Sequence, residues 1–201
     1  MTSLTSLNNH IYNCTKCSDC VKVRMYSMPG FYGKSDIRLA IIGQNPGLPQ
    51  SGEEERLRRL IQLDDKLYDN YETHYSIGLK NCSVGKFVDK VCETLNIGWR
   101  NIFFSNIIKC ATPQCRVPSD IEVNNCIGYL HQQLDILKPK TILFLGHFPV
   151  AKLDHSLRAF HYYMQDGVKL ISVYHPSFIK KAAYPGLEEK TLKFIKKTYN
   201  L

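Results

Sequence analysis

Along this chain the apolar positions follow two rhythms. Segments 38–43, 102–108, 141–146 and 168–174 are apolar nearly throughout and end at Gly or at polar residues. Runs this short and unbroken predict strands covered on both faces, because a strand with one face in water would alternate. Segments 84–97, 119–138 and 147–159 repeat their apolar residues at helical spacing. Strand and helix therefore alternate. The expectation is an α/β fold of three layers, a central four-stranded parallel sheet flanked by helices and joined by right-handed crossovers.

Local signals support several boundaries. Ser119 followed by Glu122, with Pro118 just before, has the form of a capping box and predicts a helix start. After Gly186, Leu192 and Ile195 alternate with Lys196 and Lys197, which predicts an amphipathic terminal helix over 187–199 with a basic face. Segment 48–81 is charged and rich in Tyr; it predicts a helix over 53–67 and then an irregular stretch. No repeat, low-complexity tract or linker interrupts the chain.

Composition narrows the class. With 201 residues, 44% of them hydrophobic, the chain can bury one sizeable core, so a single domain over 1–201 is expected. No run reaches the roughly 18 apolar residues that a membrane span needs, and residues 1–10 lack the apolar centre of a signal peptide. A soluble intracellular protein, cytoplasmic or nucleoid-associated and with no membrane partner, is the expectation. A net charge of +8 favours an anionic partner such as nucleic acid. Eight cysteines in a reducing compartment point to metal binding or plain burial instead of disulfides.

Ligands of open α/β sheets bind beyond the carboxyl ends of the strands, so the residues there carry the chemistry. The first strand runs into Gly43-Gln44-Asn45-Pro46-Gly47, the second holds Asn106 ahead of Lys109-Cys110, and the fourth ends at His175-Pro176-Ser177. Taken singly, each has a plain structural reading: a strand-end turn, a satisfied amide, a buried histidine, a core aromatic at Phe178, solvated lysines at Lys180 and Lys181. Together they gather an amide-rich loop, an Asn and a His on one sheet edge.

This set, in this chain order, resembles the uracil-DNA glycosylase superfamily, whose first motif is a Gly-x-x-Pro loop and whose last is a His-Pro-Ser loop. Cys14-x2-Cys17, with Cys110 and Cys126 later, resembles the ligand set of the iron-sulfur branch, family 4. The resemblance implies a monomeric, monofunctional DNA glycosylase that hydrolyses the N-glycosidic bond of uracil in DNA and leaves an abasic site in base-excision repair. It implies catalytic roles for Asn45, holding the attacking water, and His175, bonding the base carbonyl. Asn106 would read the base edge, with Gly43 and Gln44 lining the pocket and Tyr75 or Tyr71 stacking on the base. Pro46, Gly47, Pro176, Ser177, Phe178, Ile179, Lys180 and Lys181 would meet DNA around the flipped-out base, Phe178 and Ile179 as the wedge. Cys14, Cys17, Cys110 and Cys126 would hold a 4Fe-4S cluster, mainly structural in role.

Alternatives remain at this stage. Zinc could occupy four thiolates at the same spacing, and Cys20 offers a competing Cys17-x2-Cys20 pair. Cys82, Cys92 and Cys115 read as packing or surface residues. The first loop departs from the iron-sulfur branch, which carries Gly-Glu-Ala-Pro-Gly; Gly-Gln-Asn-Pro-Gly resembles the mismatch-specific and single-strand-selective branches, where Asn orients water but cannot act as a base. The long insert before residue 82 admits a pocket for a bulkier modified base, as in a defence role against foreign DNA. A noncatalytic, metal-stabilised nucleic-acid-binding protein is the reading from another class.

Overall fold

The computed structural model describes residues 3–23, 27–32, 36–47, 82–153 and 158–201. Its elements, in chain order, are α1 (Leu4–Tyr12), α2 (Ser18–Val23), β1 (Phe31–Tyr32), β2 (Leu39–Gly43), α3 (Ser83–Leu95), β3 (Ile102–Asn106), α4 (Asp120–Leu137), β4 (Thr141–Leu145), α5 (His147–Lys152), β5 (His161–Gln165), β6 (Val168–Val173), α6 (Pro176–Ile179) and α7 (Leu187–Tyr199). The strands form one sheet in the order β1-β3-β2-β4-β6-β5. The four central strands, β3, β2, β4 and β6, are parallel, as the apolar runs predict; β1 and β5 pair antiparallel at the two edges.

Alternation along the central strands divides the core between the two faces. Ala40, Ile42, Phe103 and Phe144 pack with Val123, Cys126 and Leu130 of α4 and Val150 of α5. Leu39, Ile41, Ile102 and Leu143 pack on the other side with Phe87, Val88 and Val91 of α3 and Ile195 of α7. Helices on both faces explain why these strands are mainly apolar, with polar residues few and mostly towards their ends.

The crossover order positions the site. The chain leaves β2 for α3 on one face, then crosses by α4 on the other face to reach β4, which lies on the opposite side of β2. Neighbouring β2 and β4 thus send their following helices to opposite faces, which opens a crevice at their carboxyl ends. The Gly43–Gly47 loop and Gly146 line it, with Asn106 on one flank and His175 on the other.

The N-terminal segment attaches along one helix. Asn8, Cys14, Cys17 and Cys20 hydrogen-bond Gln133, Tyr129, Asn125 and Glu122 respectively, so the segment runs antiparallel to α4. Spacings of three and four on the α4 side are those of one helical face. Leu7, Ile11 and Tyr129 close the apolar part of this contact.

Three expectations need correction. The sheet has two antiparallel edge strands beyond the expected four. The helix expected over 147–159 is Pro149-containing α5 and stops at Lys152, and the chain continues from Phe160 into β5. The run through Ile108 overshoots β3: beyond Asn106 the amides of Ile107 and Ile108 donate to the carbonyls of Gly43 and Gln44, at 3.0 and 2.9 Å. The helix expected over 53–67 lies outside the described residues.

Candidate active site

Gly43 and Asn106 are register partners at the ends of β2 and β3. A Cβ at position 43 would stand 2.5 Å from Oδ1 of Asn106. Glycine leaves room there for the Asn106 amide, which any Cβ would push aside; its own φ is ordinary. Asn106 is 9% exposed, so its amide is nearly withdrawn from water at the mouth of the crevice.

The loop after Gly43 is fixed by a chain of polar contacts. Nε2 of Gln44 donates to Oδ1 of Asn45 at 3.0 Å, and Nδ2 of Asn45 donates to the Pro46 carbonyl at 3.0 Å and to Oγ1 of Thr112 at 3.3 Å. The Thr112 hydroxyl donates its proton to the Arg116 carbonyl at 2.6 Å, so it can only accept from Asn45. This settles which end of the Asn45 amide is oxygen and leaves an acceptor lone pair on it. Pro46 is half-buried and Gly47 exposed. Sequence reasoning missed Thr112; nothing in Thr-Pro two residues after a cysteine distinguishes it from an ordinary turn.

On the opposite flank His175 caps α6. Its Nδ1 accepts the Ser177 backbone N–H at 3.2 Å and lies 2.8 Å from the Ser177 hydroxyl. An Nδ1 that accepts carries no proton, so the neutral ring bears its proton on Nε2. Burial lowers the His175 pKa from its ordinary value, in agreement with a neutral ring. Gly146, at φ 92°, puts its absent Cβ 3.3 Å from the His175 Cβ. In the sequence Gly146 marks only a strand end, though a Gly at the end of β4 repeats the signal at Gly43.

The loop after His175 divides its residues between surface and core. Pro176 is buried as the first residue of α6, while Ser177 is exposed. Phe178 packs between Tyr174 and Tyr184, at 4.9 and 4.8 Å between ring centroids, with Lys181 Nζ 5.3 Å over its ring. Ile179 corrects the expectation that it meets DNA: it is 2% exposed and belongs to the core with α3 and α7. An apolar residue on the inner side of a single helical turn buries there at less cost than in water. Lys180 and Lys181 are exposed, and Nζ of Lys180 lies 3.5 Å from the Ser83 carbonyl. Tyr71 and Tyr75 lie outside the described residues.

Cys14, Cys17, Cys110 and Cys126 collect where the N-terminal segment meets α4 and the chain beyond β3. Cys110 and Cys126 are buried; Cys14 and Cys17 are half-buried. Donors reach their sulfurs: the amide of Asn125 to Cys17 at 3.4 Å and the Tyr129 hydroxyl to Cys14 at 3.8 Å, while the Ser27 hydroxyl lies 3.1 Å from Cys110 Sγ. Burial pushes the Cys110 thiol up to about 11, and negative charge on Cys126, Cys17 and Cys14 would act in the same direction. Cys20 is engaged elsewhere: its Sγ donates to Oε1 of Glu122 at 2.8 Å, and burial first, then that bond, hold its thiol up at about 12. Among the described residues, no group of three or more His, Cys, Asp or Glu is arranged to hold a metal ion. Of the other cysteines, Cys82 caps α3, Cys92 is buried in the core and Cys115 is exposed.

The profile of the Uracil DNA glycosylase superfamily matches residues 29–200. The chain belongs to this superfamily. Among curated members it is 29% identical to the type-4 uracil-DNA glycosylase of Pyrobaculum aerophilum, over 71% of the chain and 60% of that protein. It is 23% identical to the type-4 enzyme of Archaeoglobus fulgidus, over 89% of the chain and 84% of that protein. A type-5 uracil-DNA glycosylase of P. aerophilum is 24% identical, over 84% of the chain and 80% of its own length. The superfamily match ends one residue short of the chain's last residue, so it takes in Asn45, Asn106 and His175 together, whereas Cys14 and Cys17 precede it. Among the described residues no helix is long and apolar enough to cross a membrane.

Among the described residues one lysine is wholly buried. Lys109 is 1% exposed, and its Nζ donates to Ser105 Oγ at 2.7 Å, Gln133 Oε1 at 2.8 Å and the Asn106 carbonyl at 2.9 Å. Burial lowers its pKa to about 7. Glu122 is the other buried charged residue among those described: it completes the capping box of α4 with Ser119 and takes Arg116 through both oxygens, at 2.7 and 2.8 Å. The Arg116 hydrogen bonds hold its carboxyl far below the usual carboxylate range.

Proposed function

We propose that this chain is a monofunctional uracil-DNA glycosylase, hydrolysing the bond between uracil and deoxyribose to leave an abasic site in base-excision repair. The observation that carries the reading is the neutral His175, with its proton on Nε2, at the sheet edge that also presents the Asn106 amide. β3 and β6 are separated by three strand steps, about 14 Å. The names of the curated relatives support uracil as the base.

Each residue then has a chemical task. Asn106 offers an acceptor and a donor, the complement of the N–H and carbonyl on one uracil edge. The Nε2–H of His175 meets the other carbonyl, where negative charge grows as the bond from C1′ to N1 breaks. Asn45 Oδ1 holds water on the face of the sugar opposite the departing base. The water oxygen bonds C1′, the electron pair of the broken bond leaves with N1, and the spare proton passes to solvent, since an amide cannot take it. Phe178, Lys180, Lys181, Ser177 and Gly47 form the rim that would meet DNA on either side of the flipped base. Lys109, the lysine closest to Asn106 in sequence, has its ammonium engaged by three oxygens, which supports hydrolysis without a Schiff-base step.

Cys14, Cys17, Cys110 and Cys126 are the residues that would hold a 4Fe-4S cluster, two from the N-terminal segment and two from the body, and a hydroxyl or amide lies at hydrogen-bond distance from three of the sulfurs, contacts of the kind that tune cluster sulfurs. When bound, such a cluster supplies a covalent tie between the N-terminal segment and the body. Cys20, committed to Glu122 as a donor, stands outside this set.

The test is base release from oligonucleotides containing uracil, 5-hydroxymethyluracil, hypoxanthine or modified cytosines. Uracil release is expected, with abasic sites that break only on alkali treatment. His175→Ala should slow it about 10²- to 10³-fold, the range for loss of a donor to developing negative charge. Release of a bulkier base alone would move the substrate, and binding without release would favour a noncatalytic role.

A further inference from the structure

Lys109 has no task in the chemistry above, yet it is the most thoroughly enclosed cation described. Burying an ammonium costs several kcal/mol in general unless every N–H finds an acceptor. Here the acceptors come from two parts of the fold. Ser105 and the Asn106 carbonyl end β3, and Gln133 lies on α4. Gln133 in turn donates to Asn8 of α1 and to the Pro29 carbonyl, both at 2.9 Å, and Ser105 donates to the same Pro29 carbonyl at 2.9 Å. The backbone of Lys109 adds a further tie, its carbonyl accepting the Met28 N–H at 2.6 Å.

The geometry points to Lys109 as a positioning residue: it holds the backbone of Ser105 and Asn106 in register with α1 and α4, and so sets where the Asn106 amide stands against the base. β1 pairs with β3 only at Phe103 and Phe104, and beyond that edge the Asn106 carbonyl takes its hydrogen bond from Lys109 Nζ, which anchors the backbone where β3 ends. The Asn106 side chain stands in the narrow space above Gly43, where a shift of a few tenths of an ångström changes its contacts. This inference rests on the glycosylase reading for what Asn106 does.

A positioning role predicts loss of base recognition without loss of backbone recognition. The experiment measures binding of the full chain, with its iron and thiol content checked, to three duplexes: one with 2′-fluoro-2′-deoxyuridine, whose bond resists cleavage, one with thymidine at that place, and one with a tetrahydrofuran abasic analogue. The unsubstituted protein should prefer the fluorinated uridine to thymidine. Lys109→Met should lower that preference about tenfold, the scale of one displaced polar contact, and leave affinity for the abasic analogue unchanged. Equal weakening on all three duplexes, or an unchanged preference, overturns the inference. If Lys109→Met does not fold, Gln133→Met, which keeps the lysine but removes one acceptor and the tie to Asn8, is judged by the same criteria. Absence of any uracil preference in the unsubstituted protein would instead strike the glycosylase reading, and the inference with it.

Discussion

The two flanks of the crevice are held by different physics. On the β3 flank, Asn106 stands over Gly43 and is backed by a buried polar network through Lys109, Ser105 and Gln133. On the β6 flank, His175 is fixed by two donors from one residue, Ser177, and the chain beyond is packed by aromatic rings and Ile179. A buried network has few arrangements that satisfy every member, so it fixes a reading amide sharply. A single-residue lock beside half-exposed rings suits a group whose protonation, more than its position, decides the outcome.

The sharpest break of this contrast is Gly43→Ala. The added methyl meets only the tip of the Asn106 side chain, so the fold should tolerate it, while the displaced amide should lower uracil release about 10²-fold. Assays of kcat/KM beside thermal melts check it; a large fall in Tm with unchanged activity would contradict it.

Next in size is Glu122→Gln, which loosens the cysteine side without touching the crevice. Loss of charged hydrogen bonds to Arg116, Cys20 and Ser119 should cost about 2 kcal/mol at neutral pH by chemical denaturation. Because the folded carboxyl lies far below its ordinary value of 4.5, this stabilisation is present above that pH and fades as pH falls. The gap between the two proteins should therefore close in acid.

The smallest effect sharpens the other flank. The His175 pKa lies below 6.5, so the neutral ring persists at neutral pH and kcat/KM should fall only on the acid side, as protonation puts an N–H against the Ser177 donors. The same depression means that the unfolded chain takes up the proton first, so stability also declines as pH drops below 6.5. Ser177→Ala removes one of the two donors. It should shift the acid limb upward in pH while changing neutral kcat/KM by about threefold or less.

What the sequence disclosed follows the same physical division. Burial on both faces made the four parallel strands legible within two residues, and the Ser119 to Glu122 spacing located α4. The edge strand β5 was hidden because its residues are mostly exposed and show no apolar run. Its turn was nonetheless spelled out: Asp166 and Gly167, at φ 50° and 79°, form the Asp-Gly hairpin link into β6. Helix α1 is hard to see in a segment with no apolar centre, though Leu4, Leu7 and Ile11 make a narrow stripe and Ser3 caps it. Asn45, Asn106 and His175 are legible as candidates because they fall at the carboxyl ends of strands. Thr112, Lys109 and the Glu122 cluster act through contacts up to 102 residues apart, and no local pattern announces them.

The antiparallel run of the first residues along α4 also governs the order of assembly. Its contacts join positions 102 to 125 residues apart, so during synthesis the N-terminal segment emerges long before its docking face exists. Closing so large a loop comes late in folding. Cys14 and Cys17 therefore meet Tyr129 and Asn125 late, and the finished seam should be the first part of the molecule to peel away under denaturant.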